Sequence, residues 1–396
     1  MRSYSIGMVA ACPFPVNYGS PGAIRELAET LSEMGHKIHI VTYPEGDELP
    51  IGNARLHRVG RIDTRQQTQA GPSARKLWID LLLVIKLCRV IWTEKIEIIH
   101  AHNYEGGLAG VIAKFCTGKP LVYNAVNLMA DELDTYGVIK PAFLAKWLAW
   151  ALDAFIPIFP NHIITVTQEL YDWFVRRGVK SDRLTLVPCG VRPELFAKAD
   201  PSELLNKYEV GSRPVVMYTG INSAFQRVDY LLRAFTIVLK SEPSALLMIV
   251  SPLSNEPNCA ANVALANSLG ISQNVIFVGP HTLDELPDYL AMASVTVVPR
   301  PECPGHPIKL LNYMMAARPI VCFAGAAKGV SHLYDAFIIP DHDWEKMGDA
   351  IVTLIRDPAL AKRLGAQAQE TVLNNFDWRI LAKKVELIYA GLLAAN

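Results

Sequence analysis

The sequence predicts an α/β protein made of two doubly wound, parallel-sheet domains, and three observations support that prediction. The chain has 396 residues, which is more than a single hydrophobic core usually accommodates. Short apolar runs alternate with segments of helical periodicity, a pattern typical of a parallel sheet covered on both faces. The alternation restarts after the polar stretch from Pro193 to Arg213. We therefore expect two domains with a cleft between them.

The strands and helices follow from this alternation. In the first half, the predicted strands are SIGMVAA, KIHIVTY, IEIIHAH, PLVYNAV and HIITVT. Helical periodicity spans Ala23 to Met34 and Ala74 to Trp92. After LTLVPCGV, the second half supplies PVVMYTG, ALLMIVS, NVIFVG, VTVVP and PIVCFA. A final helix is predicted from about Trp378 to Leu393.

Composition restricts the class of protein. Hydrophobic residues make up 51% of the chain and charged residues 19%, as in a well-buried globular protein. Lysine plus arginine equals aspartate plus glutamate at 38 each, so no net field attracts nucleic acid. The seven cysteines form no CxxC pair, and no histidine cluster has metal-ligand spacing. These features predict reduced thiols in a cytoplasmic protein without structural zinc.

The N-terminal apolar run could be mistaken for a signal peptide. It breaks at Pro13 after about seven apolar residues, so we predict a buried first strand instead. No segment supplies the roughly 20 uninterrupted apolar residues that a membrane span requires.

Two glycine-containing loops follow predicted strands, in CPFPVNYGSPGAIREL and TGINSAFQRVDYLL. Ligands of doubly wound sheets bind at the carboxyl ends of the strands, where such loops lead into helices. Neither loop has the GxGxxG pattern, and an ordinary strand-to-helix turn is the alternative interpretation.

The stretch PGHPIKLLNYMMAARPIV places an unusual cation at a helix start. Pro307 suits the first turn of a helix, whose N–H groups and dipole favour an anion. Lys309 in that turn opposes the dipole, which suggests a negatively charged ligand. Asn312 lies near the same face and can bond sugar hydroxyls. The alternative is a solvated Lys309 with Asn312 as a capping or packing residue.

A second cation comes from the same half of the chain. Arg227 stands at the start of the helix that follows TGINSAFQ. Two cations at strand-to-helix junctions of one sheet suggest a diphosphate clamp, because arginine can bond phosphate oxygens bidentately.

The spacing P-x-K-x-x-[E/N]-Y-M-A followed by PIV resembles the retaining, nucleotide-sugar-dependent glycosyltransferases of family 4, which have the GT-B fold. The resemblance extends along the chain through LAETLSEMGHKIHIVT, IIHAH, LVPCGV…ELF and FDWRILAKKVELIY. It implies an α/β GT-B architecture, with two Rossmann-like doubly wound domains facing a central cleft. The implied parts are an acceptor-binding domain at 1–195, a nucleotide-sugar-binding domain at 196–375, and a helix at 376–396 crossing back to the first domain.

The resemblance also implies functional residues. Lys309 and Arg227 would neutralise the donor diphosphate, with Gln226 and Arg227 standing where relatives have Lys-Gly. The implied donor-binding residues are Gly19, Gly220, Gln226, Arg227, Gly305, His306, Pro307, Lys309 and Asn312. The implied catalytic residues are Asn127, His102, Lys309 and Arg227.

Two positions depart from the family pattern. Asn312 replaces a glutamate thought to bind the nucleotide ribose, so we expect weaker or altered donor binding. Asn127 replaces a histidine that relatives commonly place near the sugar and the leaving phosphate. In this fold the departing phosphate is generally thought to accept the acceptor's proton, so losing the imidazole would lower the rate without changing the reaction. Asn127 could still position a hydroxyl.

Other polar residues have two interpretations each. Asp131 and Glu132 are acceptor-side bases or, more commonly, partners of a helix dipole. His100 and His102 end their strand and, two residues apart, share a face. In one interpretation, both histidines shape the cleft and hydrogen-bond to loop backbone. In the other they contact the ligand, and His102 is the stronger candidate for that contact. No metal is implied, because the clamp is cationic and no Asp-x-Asp motif stands at a suitable strand end.

The segment Lys140 to Val166 is apolar and contains Trp147 and Trp150. Tryptophan favours the membrane interface, so the segment could rest on a bilayer near a lipid-linked acceptor. A buried helix of the first domain is the alternative.

The sequence thus predicts a cytoplasmic, hexosyltransferase-like enzyme, in peripheral contact with a membrane if the interface interpretation of that segment holds. It would move sugar from a nucleoside diphosphate donor, with uridine favoured, to a hydroxyl of a glycan or lipid-linked acceptor, as in polysaccharide biosynthesis. The rival from another class is a catalytically weak or inactive nucleotide-sugar-binding partner protein. An epimerase would need a carboxylate acid and base pair, and a phosphorylase a pyridoxal-binding lysine; neither is evident.

Overall fold

The computed structural model describes residues 2–16, 19–60, 74–130, 142–253, 256, 258–282, 284–303 and 305–394. The chain forms two compact units. The first comprises Met1–Cys189, Pro304–His306 and Trp378–Asn396, and the second comprises Gly190–Cys303 and Pro307–Asp377.

The first unit is built on a seven-stranded sheet. Its strands are β1 (Ser5–Ala10), β2 (Lys37–Thr42), β3 (Arg55–Arg58), β4 (Ile98–His102), β5 (Leu121–Ala125), β6 (His162–Thr165) and β7 (Leu184–Leu186). All pairs are parallel, in the order β3-β2-β1-β4-β5-β6-β7. The strand order reverses between β1 and β4, which is the switch point where doubly wound sheets bind ligands.

Helices cover both faces of this sheet, as expected for strands that are apolar on both sides. They are α1 (Gly19–Glu33), α2 (Ala74–Thr93), α3 (Asn103–Thr117), α4 (Ala142–Phe155) and α5 (Gln168–Arg176), with a 3₁₀ turn at Ile156–Ile158. In α2, Ile79, Leu83 and Leu87 recur every fourth residue and are fully buried. That spacing puts them on one helix face, which packs in a cluster with sheet residues such as Val41 and Ile99.

The second unit repeats the design with six strands. They are β8 (Val215–Thr219), β9 (Leu246–Val250), β10 (Val275–Val278), β11 (Val295–Val298), β12 (Ile320–Phe323) and β13 (Phe337–Ile339). Their parallel order is β10-β9-β8-β11-β12-β13, so the switch point lies between β8 and β11. The helices are α6 (Ser202–Lys207), α7 (Val228–Ser241), α8 (Cys259–Ser268), α9 (Leu286–Met292), α10 (Ile308–Met315), α11 (Trp344–Arg356) and α12 (Pro358–Asn375).

The last helix, α13 (Trp378–Ala394), packs within the first unit. Its residues Trp378, Leu381 and Val385 join the buried cluster around β1 and α1. The Trp378 indole donates a 2.9 Å hydrogen bond to Glu26. The Tyr389 hydroxyl lies 2.6 Å from Nδ1 of His100 in β4. Helix α13 therefore completes the core of the first unit.

The predicted strands of both halves are present, and the first apolar run is the buried strand β1. The sequence analysis did not predict β3, β7 and β13, which have only four, three and three residues. The first helix begins at Gly19, four residues before the predicted start. Within the described residues, none of the helices combines the length and the apolar character needed to span a bilayer.

Candidate active site

Lys309 lies in the first turn of α10, in the second unit. Its ammonium donates to the hydroxyl of Tyr218 at 2.7 Å and to Oε1 of Gln226 at 3.0 Å. The same nitrogen lies 3.9 Å from the centre of the Tyr218 ring. Burial, and after it the charge of Arg300, lower the pKa of Lys309 well below its usual value. A buried ammonium whose hydrogen-bond acceptors are both neutral is well suited to receive an anion.

Gly220 makes room for this lysine at the carboxyl end of β8. Its φ is +126°, and a Cβ built there would lie 2.8 Å from Nζ of Lys309. A side chain at position 220 would therefore strain the backbone and displace the ammonium. Of the predicted donor-binding residues, the structure brings Gly220, Gln226 and Lys309 together.

Arg227 has a different environment from the one predicted. It adopts φ +55° as the N-cap of α7, immediately after Gln226. Its guanidinium donates two 2.9 Å hydrogen bonds to Asp229 and stacks on Tyr230 at 3.5 Å. The bidentate carboxylate raises the pKa of Arg227 and occupies the fork that a phosphate would use. In this structure Gln226 contacts Lys309, and Arg227 pairs with Asp229.

Arg300 is the cation that the sequence analysis missed. It follows β11 at the second unit's switch point, and its charge acts on both Lys309 and Tyr218. The guanidinium stacks on Phe225 at 4.6 Å, and its Nε donates to the carbonyl of Glu302. Only its position two residues beyond the strand VTVV could have identified it from the sequence.

A carboxylate organises the neighbouring loop after β9. Glu256 accepts hydrogen bonds from the backbone N–H of Asn222 and from the hydroxyl of Ser251. Its charge raises the pKa of Lys309, against the stronger effect of burial. The loops after β8 and β9 are thus fastened to each other beside the lysine.

The remaining predicted residues of α10 lie along that helix. Pro307 is the N-cap, one residue before the predicted first turn, with φ −75° and ψ 97°. Asn312 is half-buried one turn beyond Lys309. The positive end of the helix dipole lies at the same end of α10 as Lys309.

Five predicted residues, namely Gly19, His102, Asn127, Gly305 and His306, group with the first unit. Gly19 has φ +60° and begins α1, and Asn127 follows β5. Gly305 and His306 are half-buried, and a Cβ on Gly305 would lie 3.5 Å from the carbonyl oxygen of Val126. Gly305 therefore lies beside the strand end that carries Asn127. Asp131 and Glu132 fall outside the described residues.

His100 and His102 share a face, as predicted, with rings stacked 4.3 Å apart. Neither has exposed surface. Nδ1 of His102 lies 3.1 Å from the amide nitrogen of Asn124, and burial lowers the pKa of His102 to about 3. A neutral imidazole without solvent contact cannot reach a ligand in this conformation. The structure favours the interpretation in which both histidines support the architecture of the first unit. Their partners are the side chains of Tyr389 and Asn124 and not loop backbone.

Comparison with known proteins adds to this geometry. Residues 20–195 match the family model Glycosyltransferase Family 4, and residues 213–357 match Glycosyl transferases group 1. The chain therefore carries a Glycosyltransferase Family 4 domain and a Glycosyl transferases group 1 domain. The two matched segments correspond to the two α/β units, and the chain is a glycosyltransferase.

Individual relatives agree with this assignment. A D-inositol 3-phosphate glycosyltransferase of Streptosporangium roseum is 24% identical over 394 residues, spanning 94% of this chain and 88% of its own length. Sucrose-phosphate synthase of Thermosynechococcus elongatus superposes with a TM-score of 0.81 at 20% identity, over 99% of this chain and 100% of its own. Anabaena HepE, solved with UDP-glucose, gives 0.76 at 16% identity, over 98% and 99%. These structures confirm the GT-B fold.

Proposed function

We propose that this family 4 glycosyltransferase moves a hexosyl group from a uridine diphosphate sugar to an acceptor hydroxyl, with retention of the anomeric configuration. The observation that carries the proposal is the buried ammonium of Lys309. It lies between Tyr218, Gln226 and Gly220 at the N-terminus of α10. A diphosphate would give this ammonium a charged acceptor in place of its two neutral ones.

The charge that develops during transfer falls on the leaving diphosphate. The bond from the anomeric carbon to the diphosphate oxygen breaks, and a bond from that carbon to the acceptor oxygen forms on the same face. The acceptor's proton passes to an oxygen of the departing phosphate. Lys309, Arg300 and the dipole of α10 stabilise the diphosphate as it gains charge. This route needs no imidazole at Asn127, whose amide would orient a hydroxyl.

One further feature supports a uridine donor. HepE, which shares the fold, was solved with UDP-glucose. In this proposal, Asn312, one turn beyond Lys309 on α10, bonds the donor ribose. In this proposal, side-chain cations neutralise the diphosphate, so activity should persist in the presence of a chelator.

An exposed apolar face suggests where the acceptor is found. Helices α2, α3 and α4, with the turn after α4, expose large apolar side chains between 39% and 71%. We define the apolar face as Leu77, Trp78, Leu81, Ile85, Trp92, Leu108, Ile112, Phe115, Phe143, Trp147, Leu148, Trp150, Phe155 and Ile158. Soluble proteins rarely expose a contiguous apolar surface of such extent without a binding role.

The apolar face is continuous across the three helices. Helices α2 and α3 pack against each other, with Cys88 of α2 near Cys116 of α3. Phe159 then joins α3 to α4, because its ring packs edge-on against Phe115 at 5.5 Å and Phe155 at 4.7 Å. Trp147 and Trp150 thus belong to a larger surface than the single segment considered from the sequence.

A lipid bilayer is the occupant that fits this face. Its four tryptophans are of the type that favours membrane interfaces. Exposed cations accompany them, namely Arg89 on α2, Lys146 on α4, and Arg177, which stacks 5.6 Å from Trp150. Such cations attract anionic lipid. We therefore place the enzyme on the cytoplasmic side of a membrane, with a lipid-linked or cell-surface glycan precursor as acceptor.

The second candidate is a nucleotide-sugar-binding protein with little catalytic activity. Asn127 and Asn312 favour it, because each replaces an ionisable family residue with an amide. Both candidates require the Lys309 pocket, and they differ only in turnover.

One experiment separates the two. The purified chain is incubated with UDP-sugars, then with the GDP and ADP analogues, and release of nucleoside diphosphate is followed with and without vesicles carrying lipid-linked glycan. The proposal expects UDP release, continuing in chelator, and formation of an α-linked product from an α-linked donor. Binding without any release would establish the non-catalytic candidate, and an inverted product would refute retention.

A further inference from the structure

We propose that His39, His57 and Glu94 form a binding site for a divalent transition metal, with zinc as the best match, on the first unit. The site is independent of the glycosyl-transfer pocket and of the apolar face. No spacing in the sequence indicates it, because the three residues come from two strands and from the end of a helix.

Parallel pairing brings the two histidines to one face of the sheet. His39 lies in β2, and His57 lies in the neighbouring edge strand β3, opposite Val41. Because Val41 is two residues beyond His39, both side chains point the same way. Their rings are stacked with centroids 5.3 Å apart. Glu94 directly follows α2, the helix that packs against β2.

The site lies away from the ligand-binding edge of the sheet. Glu94 comes at the end of α2 and only four residues before β4 begins, so it stands at the amino ends of the strands. Ligands of doubly wound sheets bind at the carboxyl ends. The cluster therefore cannot be a disguised part of the donor or acceptor site.

The distances between candidate ligand atoms fit a tetrahedral ion. Nδ1 of His39 lies 3.1 Å from Nε2 of His57 and 3.9 Å from Oε2 of Glu94. All three ligand atoms lie within 4.8 Å of one another. Zinc bonds of about 2.0–2.1 Å would place ligand atoms about 3.3 Å apart. Small side-chain adjustments would thus complete the coordination shell.

The protonation states also suit a metal. Burial lowers the pKa of His39 and of His57, so both imidazoles are neutral at pH 7 and offer lone pairs. Glu94 supplies the negative charge. Three cations face the group: Lys37 and Arg55 act on His39, and Lys86 and Arg55 act on His57. Arg55 also lies 3.4 Å from Glu94, but 71% of its side chain is exposed, so it can move away.

Two imidazole nitrogens and one carboxylate oxygen select zinc or a similar ion over magnesium or calcium, which prefer oxygen ligands. A fourth position remains for water. The ion would link edge strand β3 to the α2–β4 connection, and binding to the folded state alone would raise the melting temperature.

The test is titration with Zn²⁺ by calorimetry and with Co²⁺ by visible absorption, in a Cys116→Ser background that removes the exposed thiol. We expect one equivalent bound, tetrahedral Co²⁺ bands, and a higher melting temperature with Zn²⁺. His57→Ala and Glu94→Gln should each weaken binding about tenfold or more. Their circular dichroism without metal establishes that they fold.

His162→Ala is the matched control, because His162 is a half-buried histidine of the same sheet whose Nε2 bonds Thr185 instead. It should bind Zn²⁺ as the parent does. If the parent binds no stoichiometric metal, or if His57→Ala and Glu94→Gln bind it unchanged, then His39 and His57 are only a hydrogen-bonded pair and the proposal is wrong.

Discussion

The ammonium of Lys309 lies 2.7 Å from the hydroxyl of Tyr218, although burial holds the pKa of this lysine well below its usual value. The amine therefore gives up its proton more readily than usual in the free protein, and a bound anion favours the protonated form. Buried groups with perturbed pKa values are concentrated at functional sites for this reason.

Replacing Lys309 with methionine should abolish most transfer while preserving the fold. Methionine has a similar length and carries no charge to desolvate, so the free energy of unfolding should stay constant or rise. Transfer should fall by about 10²–10³, as when one charge-stabilising donor is removed. Steady-state kinetics and urea denaturation measure the two effects. Lys240→Ala, at an exposed position of α7, is the control, and parental rates in Lys309→Met would disprove the role of the lysine.

Gly220→Ala tests the space beside the ammonium. Its Cβ would meet Nζ of Lys309 at 2.8 Å, so the donor KM should increase. The positive φ alone costs about 1–3 kcal/mol of stability. Gly270→Ala shares that cost, since its φ is +71°, but no atom lies within 4 Å of its Cβ. Only Gly220→Ala should change the KM. Equal kinetics in both variants would show that the contact with Lys309 is unimportant.

Donor binding should be accompanied by proton uptake. The pKa of Lys309 is lowered in the free protein, and a bound diphosphate raises it again. The complex therefore holds more protons, and binding weakens as pH rises. Above pH 7.5 the diphosphate is already largely ionised, because its last pKa is about 6. Calorimetry of UDP binding in two buffers of different ionisation enthalpy measures the uptake. The same uptake in Lys309→Met would assign the proton to another group.

Arg300→Ala should weaken UDP binding more than Arg227→Ala does. The charge of Arg300 acts directly on Lys309, whereas Arg227 is bonded to Asp229. A lost hydrogen bond to a charged group is worth about 1.5–3 kcal/mol, or about tenfold and more in affinity. Competition binding gives both dissociation constants. The reverse ranking would restore Arg227 to the clamp that the sequence suggested.

Vesicle flotation tests the apolar face. The parent chain should float with vesicles that contain anionic lipid and should bind neutral vesicles less, because both apolar contact and cations contribute. Trp147→Ser with Trp150→Ser, or Trp78→Ser with Trp92→Ser, should reduce flotation. Leu387→Ser removes an equally exposed side chain, 72% accessible, from α13 and should have no effect. Flotation that survives both tryptophan pairs would contradict a membrane role for this face.

The fold was largely predictable from the sequence, because periodicity reports burial. SIGMVAA and VTVVP are apolar on both sides, as parallel strands must be, and each became a central strand of its sheet. The strand β3 was not predictable, because RLHR is polar and lies at a sheet edge. The exposed face of α2 was missed because its buried and exposed residues are both apolar.

The site was predictable in part. Lys309 opposes its helix dipole in the sequence itself, so its role could be inferred without a structure. Gln226 contacts Lys309, whereas Arg227 pairs with Asp229. This arrangement depends on the left-handed conformation of Arg227 at the N-cap of α7, which sequence spacing does not reveal. Arg300 and the cluster of His39, His57 and Glu94 arise only from strand order and register.

The packing of α13 has a consequence for how the protein is made. Because Trp378, Leu381 and Val385 are part of the core around β1 and α1, the first domain cannot complete its core until α13 has been synthesised. The second domain comprises Gly190–Cys303 and Pro307–Asp377. All of it is therefore synthesised before α13. A chain that stopped before α13 would leave the apolar surface around β1 and α1 uncovered.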